Sequence, residues 1–526
     1  MILYRAFATV GGLTMVSRVL GFIRDILIAA ALGSGGVADA FFVAFRFPNL
    51  FRRLFGEGAF NSAFVPLFAK QLESEGKSQA QDFAETAMAG LTSILVVFSV
   101  ICILSMPWLM VALAPGFVSN PQKYDLAVLL TQIAFPYLFC MSIVALISGV
   151  LNSMHRFWAA AAAPIVLNII LISAISLAIT LGYSGKPGAG IILALGVLGA
   201  GFAQLAMLWF ALKHVGMPLK LRRPRYTPEM KRLVELGIPG IISGGITQIN
   251  IVIGTIIASL QAGAVSYLYY ADRLYQLPLG LVGVAIGVVL LPELSRRLRA
   301  GDHKGAKESQ NRSLEFALLL TLPAAVALAV VAEPIIQVLF ERGAFGHEDT
   351  LATAQALAAF AIGLPGFVLI KVFQPAFFAR EDTKTPMYFA GFNMATNVVL
   401  SFALFFLFKA WGYHPHVGIA LATSIAGWLN AALLWWKLGV RGDYQTDQRL
   451  NRNLPMIAIA AFAMGALLWW LQIPLMSYLD KNQSLMLQVI ALAALVIAGA
   501  TTFFFLTIIT GVLDPRSFLK KSSPKA

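Results

Sequence analysis

The chain has 526 residues, of which 59% are hydrophobic and only 12% are charged. Soluble domains carry roughly a quarter charged residues, so this composition excludes a soluble globular protein and indicates a membrane protein. The formal net charge of +14 suggests either a nucleic-acid partner or a membrane surface, and the positions of the basic residues distinguish the two.

Fourteen apolar segments follow one another along the chain. A membrane-spanning helix needs about 20 apolar residues, and each segment is long enough. The sequence therefore predicts an all-α polytopic membrane protein with fourteen transmembrane helices and a retained first helix rather than a cleaved signal peptide. The segments lie at 6–33, 37–69, 81–113, 124–152, 157–182, 188–213, 230–261, 264–295, 313–340, 350–379, 385–409, 416–437, 453–475 and 484–512.

No residue pattern indicates catalysis. Cys102 and Cys140 lie within apolar segments, and we expect both to be small buried hydrophobic residues rather than a disulfide or metal ligands. The sequence contains no nucleophile–base pair, phosphate-binding loop or metal-ligand cluster. We therefore predict no enzyme activity, no metal site and no cofactor.

Lysine and arginine are concentrated on one side of the predicted membrane. With fourteen spans and the N-terminus inside, the inside loops and termini hold 27 of these residues and the outside loops hold five. This bias is the positive-inside signal, and it predicts that both termini are cytoplasmic. The basic runs at 220–225 and 296–299 then determine topology and contact anionic lipids, and nucleic-acid binding is not expected.

The first twelve segments form two halves of six that repeat each other at an offset of about 227–230 residues. For example, AFR at 44–46 corresponds to ADR at 271–273. An even number of spans gives both halves the same orientation, and transporters with such parallel repeats bind substrate between the halves near the midplane. The predicted parts are an N-lobe at 1–213, a basic cytoplasmic linker at 214–229, a C-lobe at 230–437, and two extra helices with a basic cytoplasmic tail at 438–526.

Six arginines lie inside otherwise apolar segments. One arginine at the centre of a bilayer helix costs about 2.5–3.5 kcal/mol on insertion scales, so such residues are expected to face a water-filled cavity or an anionic ligand. The six are Arg18 and Arg24 in the first segment, Arg46, Arg52 and Arg53 in the second, and Arg273 in the eighth.

Helical spacing places further polar side chains beside the arginines of the second and eighth segments. The predicted faces are Arg46, Asn49 and Arg53 in the second segment, and Ser266, Tyr269, Arg273 and Gln276 in the eighth.

The two arginines of the first segment are harder to bring together. Arg18 and Arg24 would point about 120° apart on an ideal helix, and a break at Gly21 would allow them to converge. The alternative to a ligand site is internal ion pairing, such as Arg24 with Asp39.

Three stretches resemble a known family: SRVLGFIRD at 17–25, ADAFFVAFRFPNLFRRLFGEGAFNSAFVPLF at 38–68, and YYADRLYQLPLGLVGVAIGVVLLPELS at 269–295. They are similar to the MurJ/MviN family of bacterial lipid II flippases, and the resemblance extends through all fourteen segments. It implies two pseudo-symmetric six-helix lobes around a central cavity, in the multidrug/oligosaccharidyl-lipid/polysaccharide exporter superfamily. The two extra C-terminal helices would line an apolar groove for the lipid tail.

The resemblance also implies which residues bind substrate. The family's required positions fall on Arg18, Arg24, Arg52, Arg273 and the acid Asp39. Family members can carry a glutamate where this chain has Gln276, which puts an acidic role at that position in doubt. With the faces described above, the predicted substrate-binding set is Arg18, Arg24, Asp39, Asn49, Arg52, Arg53, Ser266, Arg273 and Gln276. For a sodium site, only Glu235 and Asn397 are candidates.

The expected function is to flip lipid II, an undecaprenyl-pyrophosphate disaccharide-pentapeptide, from the cytoplasmic to the periplasmic leaflet of the bacterial inner membrane. The headgroup would cross by alternating access through the cationic cavity, with a coupling ion or the membrane potential left open as the energy source. Expected partners are lipid II, the bilayer and the peptidoglycan synthesis machinery, and the protein is expected to be a monomer.

Two alternatives use other features. A related exporter of cationic drugs should carry carboxylates in its cavity. A related exporter of another polyprenyl-linked oligosaccharide should lack the motifs quoted above. A non-transporting scaffold or lipid-binding regulator of envelope synthesis would not need a pseudo-symmetric pair of helical bundles.

Overall fold

The structure is a computed structural model that describes residues 2–52 and 59–513. Within these residues all regular secondary structure is helical, as the composition predicts. The helices are α1 (Ile2–Leu32), α2 (Gly36–Arg52), α3 (Ala59–Ser74), α4 (Lys77–Leu104), α5 (Met106–Leu113), α6 (Pro121–Ala134), α7 (Tyr137–Ser153), α8 (Trp158–Thr180), α9 (Pro187–His214), α10 (Pro228–Ser259), α11 (Ala264–Arg299), α12 (His303–Val330), α13 (Ala332–Phe340), α14 (His347–Phe378), α15 (Lys384–Ala410), α16 (Pro415–Val440), α17 (Gln448–Leu479) and α18 (Leu485–Ile509), with a short 3₁₀ turn at Pro115–Phe117.

Within the described residues every predicted segment contains helix, and three segments, 81–113, 124–152 and 313–340, contain two helices each. Ten helical stretches in the described ranges are long and apolar enough to cross a membrane. The chain is therefore a multi-pass helical protein. In two of the divided segments a proline lies in the first turn of the second helix, Pro107 in α5 and Pro334 in α13. Proline lacks the backbone N–H, which is no loss in the first turn of a helix.

The described residues form two compact units. Unit 1 comprises the chain up to Ser266 together with Arg342–Phe345, and unit 2 comprises Tyr267–Glu341 and the chain from Gly346 onward. The seventh predicted segment, α10, packs on α3, α4 and α5 and so belongs to unit 1. The Gly116 amide donates to the Ser259 hydroxyl at 3.1 Å in this contact. The boundary between the compact units thus falls at Ser266 in the chain, and the lobes divided at 214–229 stay a prediction.

In unit 2, polar side chains of α16 bind backbone carbonyls of α14. Trp428 Nε1 donates to the Ile362 carbonyl at 2.8 Å, and the Ser424 hydroxyl donates to the Ala359 carbonyl at 2.6 Å. Such bonds satisfy polar groups that water cannot reach inside a membrane. They hold α14 and α16 in register without placing charge between them.

The C-terminal pair of helices, α17 and α18, packs on α12 and α13. Ile457, Met464, Leu468 and Leu495 belong to the buried cluster that joins them. The outward surface of the pair is also apolar and exposed, as at Trp469 and Trp470. A buried apolar face together with an exposed apolar face is typical of a membrane helix that contacts protein on one side and lipid on the other.

The end of α1 in unit 1 depends on two glycines. Gly33 has φ +65 and Gly343 has φ +57, a left-handed conformation that side chains disfavour. The Ala344 amide donates to the Ala30 carbonyl at 2.8 Å. A Cβ on Gly33 would lie 2.4 Å from the Ala344 carbonyl oxygen. Residues 342–345 therefore form a backbone cap on α1 that leaves no room for a side chain.

We expect Gly33→Ala to lower the melting temperature of the detergent-purified protein more than Gly182→Ala does. Both glycines have a positive φ, but a Cβ on Gly182 would meet no atom within 4 Å. Gly182→Ala should therefore cost only about 1–2 kcal/mol of backbone strain, whereas Gly33→Ala adds a clash with backbone. Equal melting temperatures for the two variants would mean that the cap does not contribute to stability.

Candidate functional site

The structure describes five of the six membrane arginines, and Arg53 lies outside the described residues. Arg18 and Arg24 are on α1, Arg46 and Arg52 are on α2, and Arg273 is on α11. Unit 1 contains the first four, and unit 2 contains Arg273.

The α1 helix continues unbroken through Gly21, so the predicted break that would bring its arginines together is wrong. Arg18 and Arg24 therefore point in different directions, as ideal helix geometry requires. Arg18 lies near the middle of α1 with an exposed side chain, and no hydrogen-bond or ion-pair partner for it exists among the described residues. Arg24 is buried, with 7% of its surface exposed.

Arg24 is held by a buried ion pair and an amide. Its Nε and Nη2 donate to Asp25 Oδ1 at 3.0 and 2.8 Å, and Nη1 donates to Asn168 Oδ1 on α8 at 2.9 Å. Asn168 in turn donates from Nδ2 to the Ser17 carbonyl at 2.9 Å. A buried charge is tolerated only when it is paired and hydrogen-bonded. The network therefore fixes α1 against α8 and neutralises Arg24.

The ion pair predicted as an alternative, Arg24 with Asp39, does not form. Asp39 is fully buried at the start of α2 and accepts from Lys123 Nζ at 2.5 Å. Its oxygens also accept from the Gly263 amide at 2.9 Å, the Ser266 amide at 3.0 Å and the Ser266 hydroxyl at 2.7 Å. These amides are the unpaired donors at the N-terminus of α11, where negative charge is favoured. Asp39 and Ser266 thus cap a helix in this conformation.

On α2, Arg46, Asn49 and Arg52 each have a hydrogen-bond partner, and the predicted third member of the face, Arg53, lies outside the described residues. Arg46 Nη1 donates to the Thr255 hydroxyl of α10 at 2.7 Å. Arg52 Nε donates to Asn49 Oδ1 at 3.0 Å, and Asn49 Nδ2 donates to the Phe45 carbonyl at 2.8 Å. The acceptors in these two contacts are neutral oxygens, and they orient the two guanidinium groups.

In unit 2, Arg273 lies against Tyr269 one turn earlier on α11. Its Nη2 donates to the Tyr269 hydroxyl at 2.9 Å, and its guanidinium carbon is 4.6 Å from the centre of the ring. This is a cation–π contact, which orients the side chain. Gln276 is exposed and donates to Asp272. A carboxylate therefore lies beside Gln276, although the residue itself is neutral.

The two candidates for a sodium site have other partners. Glu235 is exposed and pairs with Lys231 and Arg232 at 4.0 and 3.5 Å. Asn397 accepts from the Ser401 and Thr423 hydroxyls at 3.2 and 3.3 Å. The described residues contain no group of three or more histidine, cysteine, aspartate or glutamate side chains that could hold a metal ion. Cys102 and Cys140 are free and buried, as predicted.

Sequence reasoning missed the neutral and cationic partners of the charged groups. Asn168, Thr255 and Lys123 each bind a residue that the sequence singled out. Asn168 gives the clearest signal, because it is the one amide in the apolar α8. Polar residues inside membrane segments are rare and have a specific partner or function. The partner itself is not readable from a residue 144 positions away.

Comparison with known proteins adds the family. The family model described as "Lipid II flippase MurJ" matches residues 28–490. A protein of Rhizobium meliloti named "Probable lipid II flippase MurJ" is 52% identical over 91% of this chain and 89% of its own length. The chain belongs to the MurJ family.

Other relatives extend this finding. A MurJ protein of Burkholderia cenocepacia named "Lipid II flippase MurJ" is 37% identical over 89% of this chain and 90% of its own length. The solved structure "Lipid II flippase MurJ, inward closed conformation" matches with a TM-score of 0.76 and 25% identity, covering 97% of this chain and 99% of that one. An inward-facing multidrug transporter of the MATE family matches with a TM-score of 0.63 at 15% identity, over 83% of this chain and 98% of that one, and shows the shared fold alone.

Arg24 and Arg18 of this MurJ-family chain should differ in their effect on stability. Arg24→Ala leaves Asp25 buried without its cation, and breaking a buried pair in this way costs about 3–5 kcal/mol. We expect a lower melting temperature in detergent, partly restored in the Arg24→Ala, Asp25→Ala double variant. Arg18→Ala, at an exposed and unpaired position, should change stability by less than about 0.5 kcal/mol. No recovery in the double variant would contradict the pairing with Asp25.

Proposed function

We propose that this protein flips lipid II from the cytoplasmic to the periplasmic leaflet of the bacterial inner membrane. Membership of the MurJ family supports the substrate. The structural observation that carries the proposal is Arg18, an exposed and unpaired cation near the middle of an apolar helix of 31 residues. A cation retained there against its insertion cost requires an anion or water.

The chemistry of the substrate fits these arginines. Lipid II carries a pyrophosphate between its apolar chain and its sugar–peptide headgroup. A guanidinium is planar and always charged, and it binds phosphate oxygens through two parallel hydrogen bonds. Arg52 and Arg273 are oriented by the neutral groups of Asn49 and Tyr269. We propose that Arg18, Arg52 and Arg273 bind the pyrophosphate, and that Arg24 supports the position of α1.

Transport would proceed by alternating access, in which the protein exposes its cationic groups first to one side of the membrane and then to the other. We further propose fourteen membrane spans with both termini in the cytoplasm and a monomeric transporter without a cofactor. The coupling ion or the membrane potential would supply the energy, and peptidoglycan-synthesising enzymes would receive the product. A drug exporter is less well supported, since an exporter of cationic drugs needs carboxylates where this chain has arginines.

Substitution of the three arginines tests the pyrophosphate site. We expect Arg18→Ala, Arg52→Ala and Arg273→Ala each to reduce lipid II flipping in proteoliposomes by about tenfold or more, because each loses a charge-assisted hydrogen bond. Lysine keeps the charge but not the fork, so the lysine variants should recover only part of the activity. Arg225→Ala, at an exposed position of the linker without a side-chain partner among the described residues, is the matched control.

Two outcomes would contradict this proposal. Full activity of the lysine variants would replace a bidentate site by a general cationic field. Full activity of all three alanine variants, with normal protein levels, would remove the pyrophosphate site altogether.

Topology can be tested with single cysteines introduced into a Cys102→Ala, Cys140→Ala background. Because the inside loops are basic, cysteines at Ser119 and Asn482 should react with an impermeant maleimide added to intact cells whose outer membrane is permeable. A cysteine at Arg223 should react only after the inner membrane is opened. Labelling of the Arg223 position in intact cells would reverse the proposed orientation.

A further inference from the structure

A groove in unit 1 opens where α7 and α9 end and α8 begins. It has a volume of about 560 Å³ and is lined by Arg156, Trp158, Met207, Phe210, Ala211, His214 and Val215. This volume is in the range of ordinary small-ligand sites. The groove lies apart from the membrane arginines and has no part in the function proposed above.

The polar end of the groove is cationic. Arg156 is exposed, and its guanidinium has no hydrogen-bond or ion-pair partner among the described residues. Lys213 is exposed beside His214, and Lys77 Nζ is 3.4 Å from the Val215 carbonyl. None of the seven lining residues is acidic. An anion would therefore meet the unpaired guanidinium of Arg156 without repulsion from an acidic lining residue.

Arg156 is held in place by the end of α7. Its amide donates to the Leu151 carbonyl at 2.8 Å, and His155 between them has φ +60. This is a helix C-cap with a non-glycine residue in the left-handed region, which costs free energy. The cap directs the chain so that Arg156 lines the groove next to Trp158.

The rest of the groove lining is apolar and open. Trp158 is 50% exposed and Phe210 is 61% exposed. Tryptophan is enriched where a membrane helix meets the lipid headgroups, because its ring has an apolar body and one N–H donor. The positive-inside distribution assigns Arg156 and Lys213 to the cytoplasmic side. The groove thus combines cations at headgroup level with an apolar wall on the membrane side.

We propose that this groove binds an anionic phospholipid of the cytoplasmic leaflet. The lipid phosphate would contact Arg156 and the indole N–H of Trp158, and an acyl chain would lie along Met207 and Phe210. Charge complementarity argues for a lipid rather than a second copy of this strongly basic chain. A neutral lipid has the same acyl chains but lacks the net negative charge, so it should bind more weakly.

Quenching of Trp158 fluorescence by brominated lipids tests the proposal. The protein is reconstituted in phosphatidylcholine vesicles, and brominated phosphatidylglycerol or brominated phosphatidylcholine is added in increasing mole fraction. The Trp158 signal is the difference between the parent protein and Trp158→Phe. We expect brominated phosphatidylglycerol to quench it at about a tenfold lower mole fraction, which Arg156→Gln should abolish. Arg223→Gln makes the same change of charge at an exposed residue outside the groove and should keep the difference.

Three results would overturn the proposal. Equal quenching by the two lipids would mean that the groove does not select charge. No quenching by either would mean that the groove faces protein, such as a second copy, rather than the bilayer. Reversal of the quenching by millimolar inorganic phosphate would indicate a site for soluble phosphate compounds. None of these outcomes depends on flipping activity, so a failure here leaves the proposed function standing.

Discussion

The free-energy cost of inserting an arginine in an apolar membrane helix determines how the described membrane arginines of this protein are arranged. The cost is about 2.5–3.5 kcal/mol for each arginine on insertion scales, and the structure meets it in three ways. Arg24 is neutralised by Asp25 and fully buried. Arg46, Arg52 and Arg273 bind neutral oxygens or an aromatic ring. Arg18 remains exposed. Arg18, which has no partner among the described residues, therefore keeps its charge for a ligand.

The acidic residues show why these roles are hard to assign from sequence. Asp25 and Asp39 both lie in arginine-bearing helices, and each looks equally suited to pair with Arg24. In the structure Asp39 instead binds Lys123 and the first amides of α11, which are 224 and 227 residues away. A carboxylate at a helix N-terminus accepts several donors at once, which a single arginine partner would not provide. Nothing local to residue 39 encodes that choice.

Hydropathy and periodicity predict the structural features that depend on residues close together in the sequence, such as the positions of helices. Within the described residues each of the fourteen predicted segments contains helix. The predicted face of Arg46, Asn49 and Arg53 stays a prediction, because Arg53 lies outside the described residues. The interruptions at Ser105 and Val331 were not predicted. A break between two apolar helices changes the backbone conformation but not the amino-acid composition. Hydropathy therefore does not predict where such a break lies. The packing of α10 on α3, α4 and α5 was not predicted either, because packing partners depend on surface shape rather than on the repeat.

Two arginines six residues apart on α1 therefore meet different physical requirements. The unbroken helix turns Arg24 toward α8, where Asn168 and Asp25 complete its hydrogen bonds, and turns Arg18 away from them. The hydrogen bonds of Arg24 hold α1 against α8, and the helix geometry then sets the direction of the exposed Arg18. Pre-organisation of this kind lowers the cost of binding, since the ligand need not order the side chain's support. The paired Arg24 thus positions α1, and through this helix it positions the unpaired Arg18.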